Sequence, residues 1–197
     1  METVVDHVII CVPDLESSVD DFEERYGVSS VAGGRHRGHG TANRLVPLGD
    51  TYLELAAVVD PDEAARSAFG EWVASRSRHP GAHGLAVRAD DFDAVCTGLG
   101  LEPLAMSRPA VDGEELRWRV AGMEQLVTAG LPFFIEWEID PAQHPGRIPV
   151  SHARGDLALA DVVVRGDLGE LRRWVGEIDG VSLEQGDPSI EYTLVPH

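Results

Sequence analysis

The sequence contains no lysine; all 16 of its basic residues are arginine. A phosphate-binding Gly-x-x-x-x-Gly-Lys loop is therefore excluded. Even arginine is scarce beside 34 acidic residues, and the formal charge is -18. Nucleic acid and anionic membranes need a basic footprint, so neither is expected as a partner. Cysteine occurs only at Cys11 and Cys96, each inside an apolar stretch. That excludes a disulfide scaffold and fits reduced core thiols in a cytoplasmic protein. No apolar run approaches the roughly 18 residues of a membrane helix. The acidic start of the chain, entering a strand within a few residues, does not have the form of a signal peptide. A Gly-x-Ser-x-Gly nucleophile elbow and a dinucleotide-binding fingerprint are also missing.

What is present is a chain of 197 residues with 43% apolar residues, enough to bury a core as one large domain or two small ones. Residues 4–12 form a short, β-branched strand in which His7, Ile9 and Cys11 share one face. Pro13 ends it and Asp14 caps a helix whose stripe is Leu15, Val19, Phe22 and Tyr26, closed by Gly27. A short strand over 28–31 follows. Next comes Gly33-Gly34-Arg35-His36-Arg37-Gly38-His39-Gly40, read as a cationic, flexible loop. Strands over 41–48 and 51–59 flank a Gly49-Asp50 turn. A helical connector occupies 60–79.

The opening unit then returns. His83 to Asp90 is a strand with histidine at its start, and the spacing from His83 to Asp90 equals that from His7 to Asp14. Asp91 is also a cap candidate, ahead of the helix stripe Phe92, Val95, Cys96 and Leu99. Strands over 102–106, 114–120 (entered through Asp112-Gly113) and 131–139 follow. The result is an internal repeat of roughly 75 residues, β-α-β-β-β twice. The fold class is α+β: two βαβββ modules forming curled mixed sheets around a cavity, plus a C-terminal βαββ extension. The divisions are 1–79 (first module and connecting helix), 80–140 (second module), 141–155 (a linker rich in Pro, His and Gly) and 156–197 (the extension, packed on the same domain). The extension carries neither the early histidine nor an embedded glutamate and is read as structural.

Glu54 and Glu136 each interrupt a β-prone apolar strand late in their half. An unpaired buried carboxylate is costly, so each must find a metal, an arginine, a backbone nest or solvent. A single histidine at a strand edge is commonly structural, and a single glutamate in a strand commonly pairs with arginine. Their joint recurrence points instead to one shared site of His7, Glu54, His83 and Glu136, suited to Fe2+, Mn2+, Ni2+, Co2+ or Zn2+. The register of His83 is open: aligning Leu15 with Phe92 puts Gly84 opposite His7, and a one-residue slip turns a side chain to the other face. Arg35, His36, Arg37 and His39 form a second group, ahead of Asn43, with Arg108, Arg117 and Arg119 in comparable territory in the second half. Guanidinium groups there can clamp an anionic ligand, or the segment is a solvated loop. His144 and His152 lie in the linker.

The stretch Asp-His-Val-Ile-Ile-Cys-Val-Pro-Asp-Leu at 6–15 and Gly-Thr-Ala-Asn-Arg-Leu-Val-Pro-Leu-Gly-Asp-Thr-Tyr-Leu-Glu-Leu at 40–55 resemble the glyoxalase-like branch of the vicinal oxygen chelate superfamily. Phe-Phe-Ile-Glu-Trp at 133–137 and His-Pro-Gly at 144–146 are similar to the later part of such domains. The resemblance implies paired modules around a central cavity, with ligands from the first and last strands of each, by position His7, Glu54, His83 and Glu136. It implies a metal-dependent lyase, isomerase or dioxygenase acting on a small oxygen-rich molecule, with Glu54 or Glu136 as general base. The alternative is a metal-free binding or resistance protein using the same cavity. Arg35, Arg37, Asn43 and Trp118 are the expected substrate contacts, and a second copy of the chain is a candidate partner in a homodimer.

Overall fold

The computed structural model describes residues 3–79, 81–109 and 115–196. The first module is β1 (Thr3–Cys11), α1 (Leu15–Tyr26), β2 (Val31–His36), β3 (Thr41–Pro47) and β4 (Tyr52–Val58). Two short helices, α2 (Pro61–Ala64) and α3 (Ala68–Arg76), connect it to the second module. There β5 (Gly84–Ala89), α4 (Phe92–Leu99), β6 (Leu104–Pro109) and β7 (Glu115–Ala121) are followed by α5 (Met123–Ala129) and β8 (Phe133–Trp137). The extension holds β9 (Leu157–Gly166), α6 (Leu168–Val175), β10 (Ile178–Asp179), β11 (Val181–Gln185) and β12 (Ser189–Pro196). The expected Asp112-Gly113 turn and the strand start at Glu114 lie outside the described residues.

Cap chemistry sets the helix boundaries. Asp14 accepts the Ser17 N–H at 2.9 Å, and Gly27 ends α1 in the left-handed region at φ 64°. Asp91 accepts the Ala94 N–H at 2.9 Å, so Asp91, not Asp90, corresponds to Asp14. Carried back through the strand, that correspondence puts Gly84 in the place of His7.

The main sheet runs β2-β3-β4-β1-β5-β8-β7-β6. The β1–β4 and β5–β8 ladders are parallel, and β1 and β5 join the halves antiparallel. Each module therefore repeats the same four-strand order outward from the centre. The sheet curls until its two end strands meet, where Arg108 of β6 donates to the Gly33 carbonyl of β2 at 2.8 Å. Val8, Ile10 and Val12 face the outer core beneath α1, α4 and the extension, whereas Ile9 and Cys11 face inward toward α3 and α5. Val5 lies with the outer set although alternation from Val8 puts it inside. A bulge between Val5 and His7 causes that change of face. The extension forms a three-stranded sheet β11-β9-β12. It joins the main sheet through β10, parallel to the start of β1, and through Trp174, whose indole donates to the Pro132 carbonyl at 2.6 Å.

Three features differ from the sequence reading. Strand β2 spans Val31–His36, so half of the expected loop is sheet. A register shift between Ala32 and Arg35 accommodates the two glycines, and the Asn43 side chain supplies the missing acceptor to the Gly34 N–H at 2.7 Å. Any Cβ on Gly33 would lie 1.9 Å from Asn43 Oδ1. The connector after β4 is two helices because Ser67 caps a new start, accepting the Gly70 N–H at 3.2 Å. Finally, α5 stands where a plain connection was expected. Its N-cap is Gly122 in the left-handed conformation, with no side-chain cap to announce it.

Candidate functional site

The concave face of the sheet encloses a cavity of about 350 Å3. Its walls are mostly apolar, from Leu45 and Ile9 through Met106, Trp118, Phe133, Ile135 and Trp137, with Phe69 of α3 and Met123 and Val127 of α5 above them. Its polar floor comes from three strands of the first module: His7 on β1, His36 on β2 and Glu54 on β4. The β1–β4 ladder pairs Ile9 with Glu54 and His7 with Tyr52, so Glu54 lies one strand over and two residues along from the histidine. Glu54 is 6% exposed. Its Oε2 is 3.4 Å from His7 Nε2 and its Oε1 is 3.6 Å from His36 Nε2.

Both imidazoles are held from behind. Because Asn43 Oδ1 is taken by the Gly34 N–H, its amide group faces His36 Nε2 at 3.2 Å and donates to it. His36 Nδ1, 2.9 Å from Thr41 Oγ1, then carries the proton. Burial holds His36 below its ordinary value, only partly opposed by Glu54, which agrees with a neutral ring. His7 Nδ1 donates to Asp6 Oδ1 at 2.6 Å, and the ring stacks on Tyr52 at 4.5 Å. Its Nε2 is thereby turned to Glu54.

Asp6 is the buried centre of the rear of the site, with no exposed surface. Its Oδ2 accepts the Trp137 indole N–H and His144 Nε2, both at 3.0 Å, and Arg88 Nε lies 3.1 Å away. His144 Nδ1 accepts the Gly146 N–H, which fixes its proton on Nε2. Burial alone would raise the Asp6 carboxyl, but hydrogen bonds from His144 and His7 outweigh it and hold the group well below the usual carboxylate range. The same bulge that moves Val5 outward allows Asp6 and His7, neighbours in sequence, to meet.

Among the residues expected at the site, His7, Glu54, Asn43 and Trp118 line the cavity. His83 precedes β5; its ring accepts the Cys11 N–H at 3.0 Å and its N–H bonds the Ile9 carbonyl, so it caps β1. Glu136 shares the outer face of β8 with Phe134. It pairs with Arg119, which also binds Asp93 at 2.8 Å and packs over the Phe92 ring on α4. Arg35, 52% exposed, pairs with Asp60 and Glu63 outside the cavity, and Arg37 is exposed in the turn that follows. Asp6 belongs to the site although the sequence reading did not single it out; His36 and Arg108 of the cationic group also line it, whereas Arg35, Arg117 and Arg119 do not. The signal for Asp6 was its place beside His7 in an apolar strand; His36 was hidden by reading its segment as loop.

These positions bear on a divalent metal. Of the four ligands implied by the resemblance, two meet at the floor and two are engaged elsewhere. Among the described residues no three His, Cys, Asp or Glu side chains converge as a metal ion requires. The four-residue set does not fit a shared ion. Both cysteines are buried and free, and neither lines the cavity. No helix among the described residues is long and apolar enough to cross a membrane.

No curated protein sequence matches the chain. A hypothetical protein from Staphylococcus aureus is similar in structure at 15% identity, with 95% of this chain and 88% of that one covered and a TM-score of 0.65. A methylmalonyl-CoA epimerase from Mycobacterium tuberculosis is similar over 70% of this chain and 89% of its own, at 22% identity and a TM-score of 0.49. The family model for the glyoxalase-like domain matches residues 5–178, and the chain belongs to that family.

Proposed function

We propose that the cavity binds a small molecule with an apolar body and an oxygen-bearing end, and that Glu54 exchanges a proton with it in an isomerase- or lyase-type reaction. The observation that carries this reading is the setting of Glu54: a carboxylate at the floor of an apolar cavity, faced by two imidazole Nε2 atoms. In such surroundings a carboxylate is shielded from competing water and faces the ligand directly. Glu54 takes a proton from a carbon beside a carbonyl. The C–H bond breaks, an O–H bond forms on Glu54, and the electron pair moves onto the carbonyl oxygen. Return of the proton to the other face of that carbon, or to a carbon conjugated with it, isomerises the molecule. If the electron pair instead folds back to form a double bond to the β-carbon, the β-substituent leaves with the pair of its own breaking bond, and the reaction is that of a lyase. His7 Nε2 accepts a hydrogen bond from the protonated Glu54, and Asp6 holds the ring in the tautomer this needs. Asp6 is a positioning residue.

A binding or resistance role is the second reading, favoured by the aromatic walls, with Trp118 and Trp137 5.4 Å apart. The test uses a panel of 2-oxoacids, 2-oxoaldehydes and aryl ketones. Binding is read from tryptophan fluorescence, and loss of C–H signals in D2O from proton NMR. The expected result is exchange of at least one bound compound by wild type and its loss, with binding kept, in Glu54→Gln. Binding without exchange would leave only the second reading. Metal content is measured on the same preparations: near-stoichiometric transition metal in wild type, absent from His7→Ala and Glu54→Ala, would return a metal to the floor.

A further inference from the structure

We infer that Arg108 is the anion-recognition residue of this cavity and that the ligand is a small monocarboxylate with an apolar body. The inference rests on the proposed ligand-binding role and names the chemical class of the ligand.

Arg108 lines the cavity and is half-buried. One guanidinium nitrogen donates to the Gly33 carbonyl at 2.8 Å. The room for it is built into β2: a Cβ on Gly34 would lie 2.8 Å from Arg108 Cδ. Among the described residues no other hydrogen bond of its five donors is found and no carboxylate lies within ion-pair distance. The chain has 34 acidic residues and only 16 arginines. Arg35, Arg44, Arg88, Arg117, Arg119, Arg147 and Arg165 all have carboxylate partners. Among the described residues Arg108 is the one arginine that lines the cavity, and it has no such partner in a protein where counter-ions abound. Burial lowers it from its ordinary value while Tyr52 and Glu54 pull the other way, so its charge is incompletely solvated.

A ligand carboxylate supplies two oxygens to the free edge of the guanidinium in the bidentate geometry arginine favours. A monoanion is favoured over a phosphate dianion because Arg108 is the single arginine among the described lining residues and Glu54 shares the same enclosure. At about 350 Å3 the space suits a ligand the size of phenylacetate, with its ring against Trp118 and Phe133. Anchored at Arg108, such a ligand spans the gap to Glu54, which makes no ion pair with Arg108.

The probes are phenylacetate and its neutral isostere phenylacetamide, titrated into wild type, Arg108→Met and Arg108→Lys, with far-UV circular dichroism and thermal melts as the folding check. Wild type is expected to bind the acid at least about tenfold more tightly than the amide, the size of one charge-assisted pair. Arg108→Met should lose that preference while binding the amide as before, and Arg108→Lys should keep part of it. If loss of the tie to Gly33 unfolds Arg108→Met, the lysine variant carries the test, its preference falling below that of wild type. Equal binding of acid and amide by wild type, or a preference that survives in the variants, overturns the inference and leaves the cavity reading standing. If neither probe binds, the inference falls, and the cavity reading falls with it only if the panel of 2-oxoacids, 2-oxoaldehydes and aryl ketones also fails to bind.

Discussion

Replacing Asp6 by asparagine tests the structural account of the site at its most buried point. The substitution keeps the shape, removes the charge and exchanges one acceptor oxygen for an amide. Asp6 serves His7 on one oxygen and Trp137 with His144 on the other. With the remaining oxygen turned to Trp137 and His144, the amide meets His7 Nδ1, which must surrender its proton and adopt the other tautomer. Arg88 loses its anion as well, although it is a third exposed and solvent replaces part of that term. A hydrogen bond to a charged group is worth about 1 kcal/mol more than its neutral counterpart, and three such bonds are affected, giving about 3 kcal/mol in all. For a chain of this size that lowers the melting temperature by about 6–12 °C. Urea unfolding at neutral pH, read by tryptophan fluorescence and far-UV circular dichroism, measures it. The pH dependence supplies an independent arm. The Asp6 carboxyl is held below its ordinary 3.8, so its stabilisation is present above that value and is lost as pH falls further toward the folded-state value. The gap between wild type and variant should therefore narrow below about pH 3.8. A cost under about 1 kcal/mol, or a gap that ignores pH, would refute the charged-hub account.

Two further predictions concern the histidines and the second module. Burial holds His36 below 6.5, so the unfolded chain takes up a proton first and stability falls as pH drops below that value. A His36→Gln variant should show a shallower decline in melting temperature between about pH 6.5 and 5. Glu136→Gln and His83→Gln should leave cavity binding within about twofold of wild type by fluorescence titration, because both side chains are engaged outside the cavity; a loss of tenfold in either would place it in the site.

The duplicated plan was readable because it rests on local chemistry: Asp14 and Asp91 as caps, Gly27 and Gly100 as stops, and apolar stripes between them. His7 and Glu54 were readable too, as polar residues in strands too apolar to leave them unpartnered. What escaped was long-range. The bulge that brings Asp6 round to His7 has no local marker, since it depends on how β1 meets β5. Strand β2 was disguised by two glycines whose ladder is completed by the Asn43 side chain from the next strand. The second histidine of the floor was therefore sought at His83, where the repeat has Gly84 facing inward, instead of at His36. Glu136 copies Glu54 in pattern but not in face. Arg119, directly across the β7–β8 ladder, gives it a partner outside.

The two halves have the same strand plan and divide the work unequally. The first module supplies the floor, with its acid, its two imidazoles and its amide. The second supplies most of the wall and one guanidinium. Substitutions at Met106, Trp118 or Ile135 reshape the mould while the reactive groups stay where the first module holds them. Duplication has in effect separated the mould from its base: the shape of the cavity can be altered from the later half of this chain while the earlier half keeps the floor groups in place.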